Sequence, residues 1–177
     1  MLGLKRGTVK LAEAHDEWAR LFEIEKDLLK MTFGDRFIAI EHVGSTSIPG
    51  IPAKPLLDMN MAISSLDDTY IQEFVAPLEK LGYHYMHKFP DRHFFAKGPE
   101  ALRTHHLNLV PTDGEEWNNS ILFRDFMRRN KPARDEYAAL KRKLAEQFAD
   151  DRASYTKAKE EFIQGIIRQA KAEHRSR

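Results

Sequence analysis

Two strand-forming runs, separated by a stretch of turn residues and prolines, constrain this chain more than any other feature. Residues 36–43 read Arg-Phe-Ile-Ala-Ile-Glu-His-Val and residues 56–63 read Leu-Leu-Asp-Met-Asn-Met-Ala-Ile. Their β-branched, aromatic and apolar content predicts two strands. Between them lie Gly44-Ser-Thr-Ser-Ile-Pro-Gly50 and then Pro52 and Pro55, which specify a loop. Strand parity puts Leu56, Asp58 and Asn60 on one face and Leu57, Met59 and Met61 on the other. An apolar sheet face therefore lies behind a face that carries two polar groups.

The flanking sequence supplies helices to cover such a sheet. A helix is expected over 16–30, with Asp16 as N-cap, Trp18, Leu21, Phe22, Leu28 and Leu29 on one face, and Gly34 as its stop. A second is expected over 66–81, with Ile71, Phe74, Val75 and Leu78 inward and Gly82 at its end. Short strands are expected over 83–87, 93–97 and 104–110, separated by Pro90-Asp91-Arg92 and by Gly98-Pro99. Helices follow over 115–129, 133–149 and 154–172. Tyr137, Leu140, Leu144 and Phe148 form one apolar stripe there; Tyr155, Phe162, Ile166 and Ala170 form another. The expected class is α/β (α+β), a small mixed sheet of about four or five strands with packed helices and a helical C-terminal part.

Composition narrows the functional classes. The 177 residues, 42% hydrophobic and 31% charged, suit one folded domain. The absence of cysteine excludes a disulfide scaffold, a thiolate zinc site and a cysteine nucleophile. No apolar run approaches the roughly 18 residues of a membrane span, and residues 1–10 lack the apolar core of a signal peptide. The expectation is a soluble, cytoplasmic protein without a membrane partner. A net charge of +1 argues against wholesale nucleic-acid binding. The charge is unevenly spread, however. Residues 1–117 hold 13 Lys and Arg against 18 Asp and Glu, whereas residues 118–177 hold 15 against 9. A basic C-terminal third either meets phosphates or presents solvated helix faces to a more acidic body.

The chemistry concentrates in residues 42–60. Gly44 lets backbone amides approach a phosphate, and Ser45 adds a hydroxyl donor. Side chains two apart on a strand share a face at about 7 Å, a spacing at which two carboxylates can share Mg²⁺. His42-Val-Gly-Ser45, followed thirteen residues after Ser45 by Asp58-Met-Asn60, resembles the signature of the nucleotidyltransferase superfamily. The longer stretch Glu41-His-Val-Gly-Ser-Thr-Ser-Ile-Pro-Gly-Ile-Pro-Ala-Lys-Pro-Leu-Leu-Asp58 resembles the hallmark of the GrpB-like family, which also occurs fused to dephospho-CoA kinases as their C-terminal domain. The likeness extends over Trp18 and Phe22, His105-His-Leu-Asn-Leu-Val110, Phe123-Arg-Asp125, Tyr137, Lys141, Tyr155, Lys159 and Phe162. It implies a nucleotidyltransferase-like fold, with residues 1–177 as a single domain. Two departures from an active nucleotidyltransferase stand out. Position 60 is Asn, and the strand over 104–110 offers His106 and Asn108 where a third acidic residue is expected.

The resemblance and the strand faces nominate Asp58, Asn60 and His106 as catalytic, with Asp58 and Asn60 as ligands for Mg²⁺ or Mn²⁺. Gly44, Ser45, Thr46, Lys54, Arg92 and Asn108 are candidate contacts to a small nucleotide or other phosphate-bearing ligand. Ser45 and Thr46 equally serve as turn formers, and Lys54 equally serves as an ion-pair partner of Asp58. Arg124, Lys141 and Lys159 either form the far wall of a cleft or pair with Asp125, Glu136 or Glu160. Tyr137 and Tyr155 could stack on a base, but their helical spacing favours the core. His42, His93 and His106 would make a metal site if their strands brought them together, although no His-x-His pair or HExxH helix supports it. Three readings follow: a metal-dependent nucleotidyl- or phosphoryl-transfer enzyme, a non-catalytic module for a nucleotide or CoA-related ligand, and a docking domain that uses its basic helices.

Overall fold

A computed structural model describes residues 2–175, with Arg175 described by its backbone alone. Helix α1 (His15–Phe33) buries Trp18, Phe22, Leu29 and Phe33 at helical spacing. It ends where Gly34 takes φ +55°, its N–H bonded to the Lys30 carbonyl. Asp16 is not the cap. Ala14 occupies that position without a side-chain bond, and Asp16 sits in the first turn, where its charge meets the helix dipole. Leu21 and Leu28 are only partly buried, while Glu25, on the inward stripe, accepts from Tyr83 Oη at 2.8 Å and from Lys97 Nζ at 2.7 Å.

Strand β1 (Ala39–Val43) starts later than expected because residues 34–36 form a 3₁₀ turn. Strand β2 (Leu57–Ile63) leads to α2 (Asp68–Lys80), then to β3 (Tyr83–Phe89), β4 (Arg92–Lys97) and β5 (His105–Pro111). The sheet is mixed, in the order β1-β2-β5-β4-β3, with β2 and β5 parallel and the other neighbours antiparallel. Parity holds across it. Leu57, Met59, Met61, Leu107, Leu109 and Phe95 form the face that packs on α1 and α2 through Trp18, Leu29, Phe74 and Leu78. Fully burying each such side chain contributes roughly 1.5–3 kcal/mol.

The opposite face carries Asp58 beside His106 and Asn60 beside Asn108, in parallel register. Helices α3 (Glu115–Arg129), α4 (Lys131–Gln147) and α5 (Arg152–Arg175) lie on this side. Helix α4 starts before position 133 because the Asn130 side chain caps it, accepting from the Ala133 N–H at 3.1 Å. Phe123, Phe126, Met127, Tyr137, Ile166 and Ala170 close a second core on Ile48 and Ile51 of the loop after β1. Among the described residues no helix is long and apolar enough to cross a membrane.

Candidate functional site

Between the polar sheet face and helices α3, α4 and α5 lies a cavity of about 460 Å³, a size ordinary for a small-molecule site. Gly44, Ser45, Lys54, Asp58, His106 and Asn108 line it. Asn60, Thr46 and Arg92 lie outside the lining. Asn60 is fully buried behind it, accepting from Asn108 Nδ2 at 3.0 Å and donating to Ser120 Oγ at 2.8 Å. Thr46 is buried against His42, its hydroxyl 2.9 Å from His42 Nε2. Arg92 reaches the site only through Glu116, at 3.7 Å, and otherwise pairs with Asp91 and lies over the Phe89 ring.

Gly44 is fixed by two requirements. Its φ is +66°, and a Cβ built on it would stand 2.7 Å from Asp58 Oδ2. The glycine therefore makes room for a carboxylate, and it also lines the cavity. From Gly44 the chain makes a 3₁₀ turn, Ser45–Ser47. The turn is held from behind: Ser47 Oγ donates to Gly44 O at 2.6 Å, and Arg128 donates twice to Ser47 O. Ser45 is left facing the cavity, its hydroxyl hydrogen-bonded to Tyr137.

Asp58 Oδ1 accepts from His106 Nδ1 at 2.9 Å. A carboxylate can only accept, so the proton is on Nδ1. His106 Nε2 faces the Arg152 guanidinium at 3.5 Å, and a guanidinium can only donate, so that nitrogen presents its lone pair. The Asp58 side chain is 40% exposed, and it lines the cavity. Its surroundings push the carboxyl up by desolvation, but His106, Lys54 and Arg152 outweigh this and hold it below its ordinary value.

Four cations surround this pair: Lys54, Lys141, Arg152 and Lys159. Lys141 is 1% exposed, and its Nζ has no hydrogen-bond partner in the protein. Burial, reinforced by Lys159 and Lys54, drives it well below its ordinary value. Burial lowers Lys54 to about 7, with Arg152 and Lys159 adding to the effect and Asp58 opposing it. Lys159 falls to about 8, chiefly by burial, against the pull of Asp58. Desolvation also lowers Arg152, again opposed by Asp58. Asp58 is thus the one carboxylate that acts on all four; Glu160 also acts on Lys159, and Glu116, raised by burial, lines the cavity as well, so the basic groups still outnumber the carboxylates. Four buried side-chain polar atoms of the described residues lack a partner. Three of these, Asn119 Oδ1, Lys141 Nζ and Tyr155 Oη, belong to residues that line the cavity.

The far wall that sequence reasoning assigned to Arg124, Lys141 and Lys159 is built by the two lysines. Arg124 is instead taken up by Glu41, Asp125 and the His42 carbonyl, the structural alternative. Tyr137 stacks on Phe162 at 4.9 Å, and Tyr155 carries Lys159 Nζ at 4.2 Å and Lys54 Nζ at 5.5 Å from its ring centre. Both rings are therefore engaged. Arg152, Glu116, Asn119 and Ser120 were not anticipated as site residues. One signal was available: Tyr137 and Lys141, then Tyr155 and Lys159, repeat a Tyr-x-x-x-Lys pattern that puts each ammonium against its own tyrosine ring.

The donor set does not fit Mg²⁺ or Mn²⁺. Asp58 offers one carboxylate whose Oδ1 is taken by His106, the Asn60 oxygen accepts from Asn108, and the basic side chains around them would repel a divalent ion. Nor do His42, His93 and His106 converge. His42 pairs with Met59 and His93 with Leu109, residues of the apolar face, while His106 pairs with Asp58 on the other. Among the described residues no three or more His, Asp or Glu are arranged to hold a metal.

Residues 8–169 match the family described as "GrpB protein". Over 173 residues the chain is 36% identical to the glutamate-rich protein GrpB of Alkalihalophilus pseudofirmus, covering 94% of this chain and 98% of that one. It is 29% identical to a dephospho-CoA kinase of Mycolicibacterium paratuberculosis, covering 94% of this chain and 47% of the kinase. The crystal structure of conserved protein GrpB from Enterococcus faecalis matches with a TM-score of 0.85 at 29% identity, covering 93% of this chain and 99% of that one. With the family matched over most of its length and a full-length relative more than a third identical, this chain belongs to the GrpB family.

Proposed function

We propose that this chain binds a small phosphate-bearing anion in the cavity, and that it does so without a divalent metal. The observation that carries the reading is Lys141, a buried amine set among Lys54, Lys159 and Arg152 whose Nζ has no hydrogen-bond partner. An unpaired buried charge is expensive, which is why burial favours the neutral amine here, and an anion placed against Lys54, Lys141, Lys159 and Arg152 would favour the ammonium and give it a partner. A phosphate monoester suits the site better than a carboxylate, because it brings about two negative charges and three strong acceptor oxygens. Ser45 offers a hydroxyl beside these cations. Metal-dependent nucleotidyl transfer has less support, since Asp58 stands among basic side chains and the Asn60 oxygen is taken by Asn108. Tyr137 and Tyr155, both engaged, give no platform for a base.

The test is thermal unfolding in EDTA against inorganic phosphate, pyrophosphate, nucleotides and CoA, each beside its unphosphorylated counterpart; the relatives named dephospho-CoA kinase put CoA in the panel. A ligand at 100 times its Kd adds about 2.7 kcal/mol, or roughly 5–10 °C for a chain of this size. Stabilisation by a phosphorylated compound in EDTA, lost with its unphosphorylated counterpart, is the expected result. Stabilisation that requires Mg²⁺ would return the reading to metal-dependent transfer.

A further inference from the structure

Asp58 and His106 are register partners on adjacent parallel strands, so their side chains meet on one face by construction. The missing Cβ of Gly44 admits the carboxylate, and the Phe94 ring packs edge-on against the imidazole at 5.2 Å. The ring is thus held in one tautomer and one orientation, with the Nε2 lone pair beside the Arg152 guanidinium. Other histidines of the sheet are occupied elsewhere. His42 Nε2 pairs with Thr46, and both nitrogens of His93 are bonded, to Tyr85 Oη and to the Leu66 carbonyl. His105 Nδ1 pairs with Thr104, and its Nε2 lies 3.9 Å from Glu25. His106 alone among the described histidines lines the cation-walled cavity.

An imidazole oriented by a carboxylate, whose other nitrogen faces Arg152 in a cavity that collects phosphate oxygens, becomes a nucleophile once the ligand draws the guanidinium onto those oxygens. We propose that His106 is a phosphoryl acceptor: its Nε2 attacks the phosphorus of a ligand held by Lys54, Lys141, Lys159 and Arg152, forming a phosphohistidine. The inference rests on the anion-binding reading above. In the step, the N–P bond to Nε2 forms as the bond from phosphorus to the leaving group breaks, and nothing is oxidised or reduced. The ring keeps its Nδ1 proton, and Asp58 balances the positive charge that the ring acquires. The cations neutralise the phosphoryl oxygens, the part a metal plays in other phosphoryl-transfer sites. Because the Nδ1 proton stays in place, the dyad gives none to the leaving group. The fitting donors are therefore those whose leaving group departs without one: acyl phosphates, phosphoanhydrides and phosphoramidate.

The test incubates the full chain with phosphoramidate in EDTA, where ammonia leaves as Nε2 takes the phosphoryl group. Intact mass is followed, acid and alkali stability are compared, and the phosphate-induced thermal shift is measured on the same samples. The expected result is one phosphoryl group, acid-labile and alkali-stable, mapped to His106. It is absent from His106→Gln, which is checked for a cooperative melt so that loss of label is not loss of fold. Asp58→Asn keeps the nucleophile but loses its orienting carboxylate, and labelling slows by roughly 10–100-fold. Wild-type protein that shifts with phosphate yet takes no label overturns the acceptor role and leaves anion binding standing. Label that survives in His106→Gln also overturns it. No thermal shift at all removes the anion-binding reading, and this inference with it.

Discussion

Replacing Lys159 by Met tests whether the cation cluster is a burden on the ligand-free fold. Lys159 is 8% exposed and its folded-state pKa is lowered to about 8, with desolvation as the main cause. In the unfolded chain the group titrates near its ordinary 10.5. Between those values the unfolded state binds more protons, so stability rises with pH there and is lost as pH falls through about 8. At pH 6.5 the charged lysine costs about 3 kcal/mol, at ~1.4 kcal/mol per tenfold change in proton affinity. Methionine keeps an unbranched stem against Tyr155 and removes the charge. After allowing for imperfect packing, the expected gain is about 1–3 kcal/mol, which raises Tm by roughly 3–10 °C. By pH 9.5 the folded wild-type lysine is already neutral, and the gain shrinks by about 2 kcal/mol. Thermal unfolding of both proteins in phosphate-free buffer at the two pH values reads this directly. A variant that melts below wild type at pH 6.5, or whose advantage does not change with pH, refutes the argument that these cations are uncompensated.

Three further outcomes follow from the same geometry. Anion affinity should fall as pH rises through 7 to 8, where Lys54 and Lys159 lose their protons, and titration calorimetry at pH 8 in buffers of different ionisation enthalpy should show proton uptake on binding. Asp58→Asn removes the carboxylate that all four cations share; the ligand-free protein should melt lower and bind phosphate more tightly, whereas weaker phosphate binding would mark Asp58 as part of a metal-dependent site. Gly44→Ala combines positive φ with a Cβ 2.7 Å from Asp58 Oδ2, so it should cost about 1–3 kcal/mol in chemical denaturation and weaken binding; an unchanged midpoint would contradict the close approach.

Much of the fold is legible in the sequence because strand parity is a local property. Leu57, Met59 and Met61 against Asp58 and Asn60 divide the two faces without knowledge of any neighbour, and Gly34 ends α1 as a glycine stop should. Helix starts are less legible: Asp16 has the chemistry of an N-cap, yet His15 begins the helix and turns its ring to the Ile51 carbonyl at 2.8 Å, a tertiary contact. The sheet half of the site is partly visible for the same parity reason, which puts His106 and Asn108 on one strand face, but their pairing with Asp58 and Asn60 comes from the parallel register of β2 and β5. The helical half is not, because the rotation of α3 and α5 over the sheet is set by packing. Arg152 and Glu116 read from sequence as ordinary surface charges, yet both line the cavity. Asn60 shares a strand face with Asp58, but Ser120 closes over it and leaves it structural. Lys141 is the hardest case, since a lysine beside an apolar stripe normally snorkels to solvent and this one does not.

The central claim, that the cavity holds a phosphate-bearing anion on its cations, is tested most directly by a crystal structure of the protein soaked in pyrophosphate without divalent metal. The account predicts phosphate density in the cavity within hydrogen-bond distance of Lys141 Nζ, with Lys159 or Arg152 as a second contact. Ordered water alone at Lys141 under saturating pyrophosphate, or phosphate bound only on the outer surface, would contradict it.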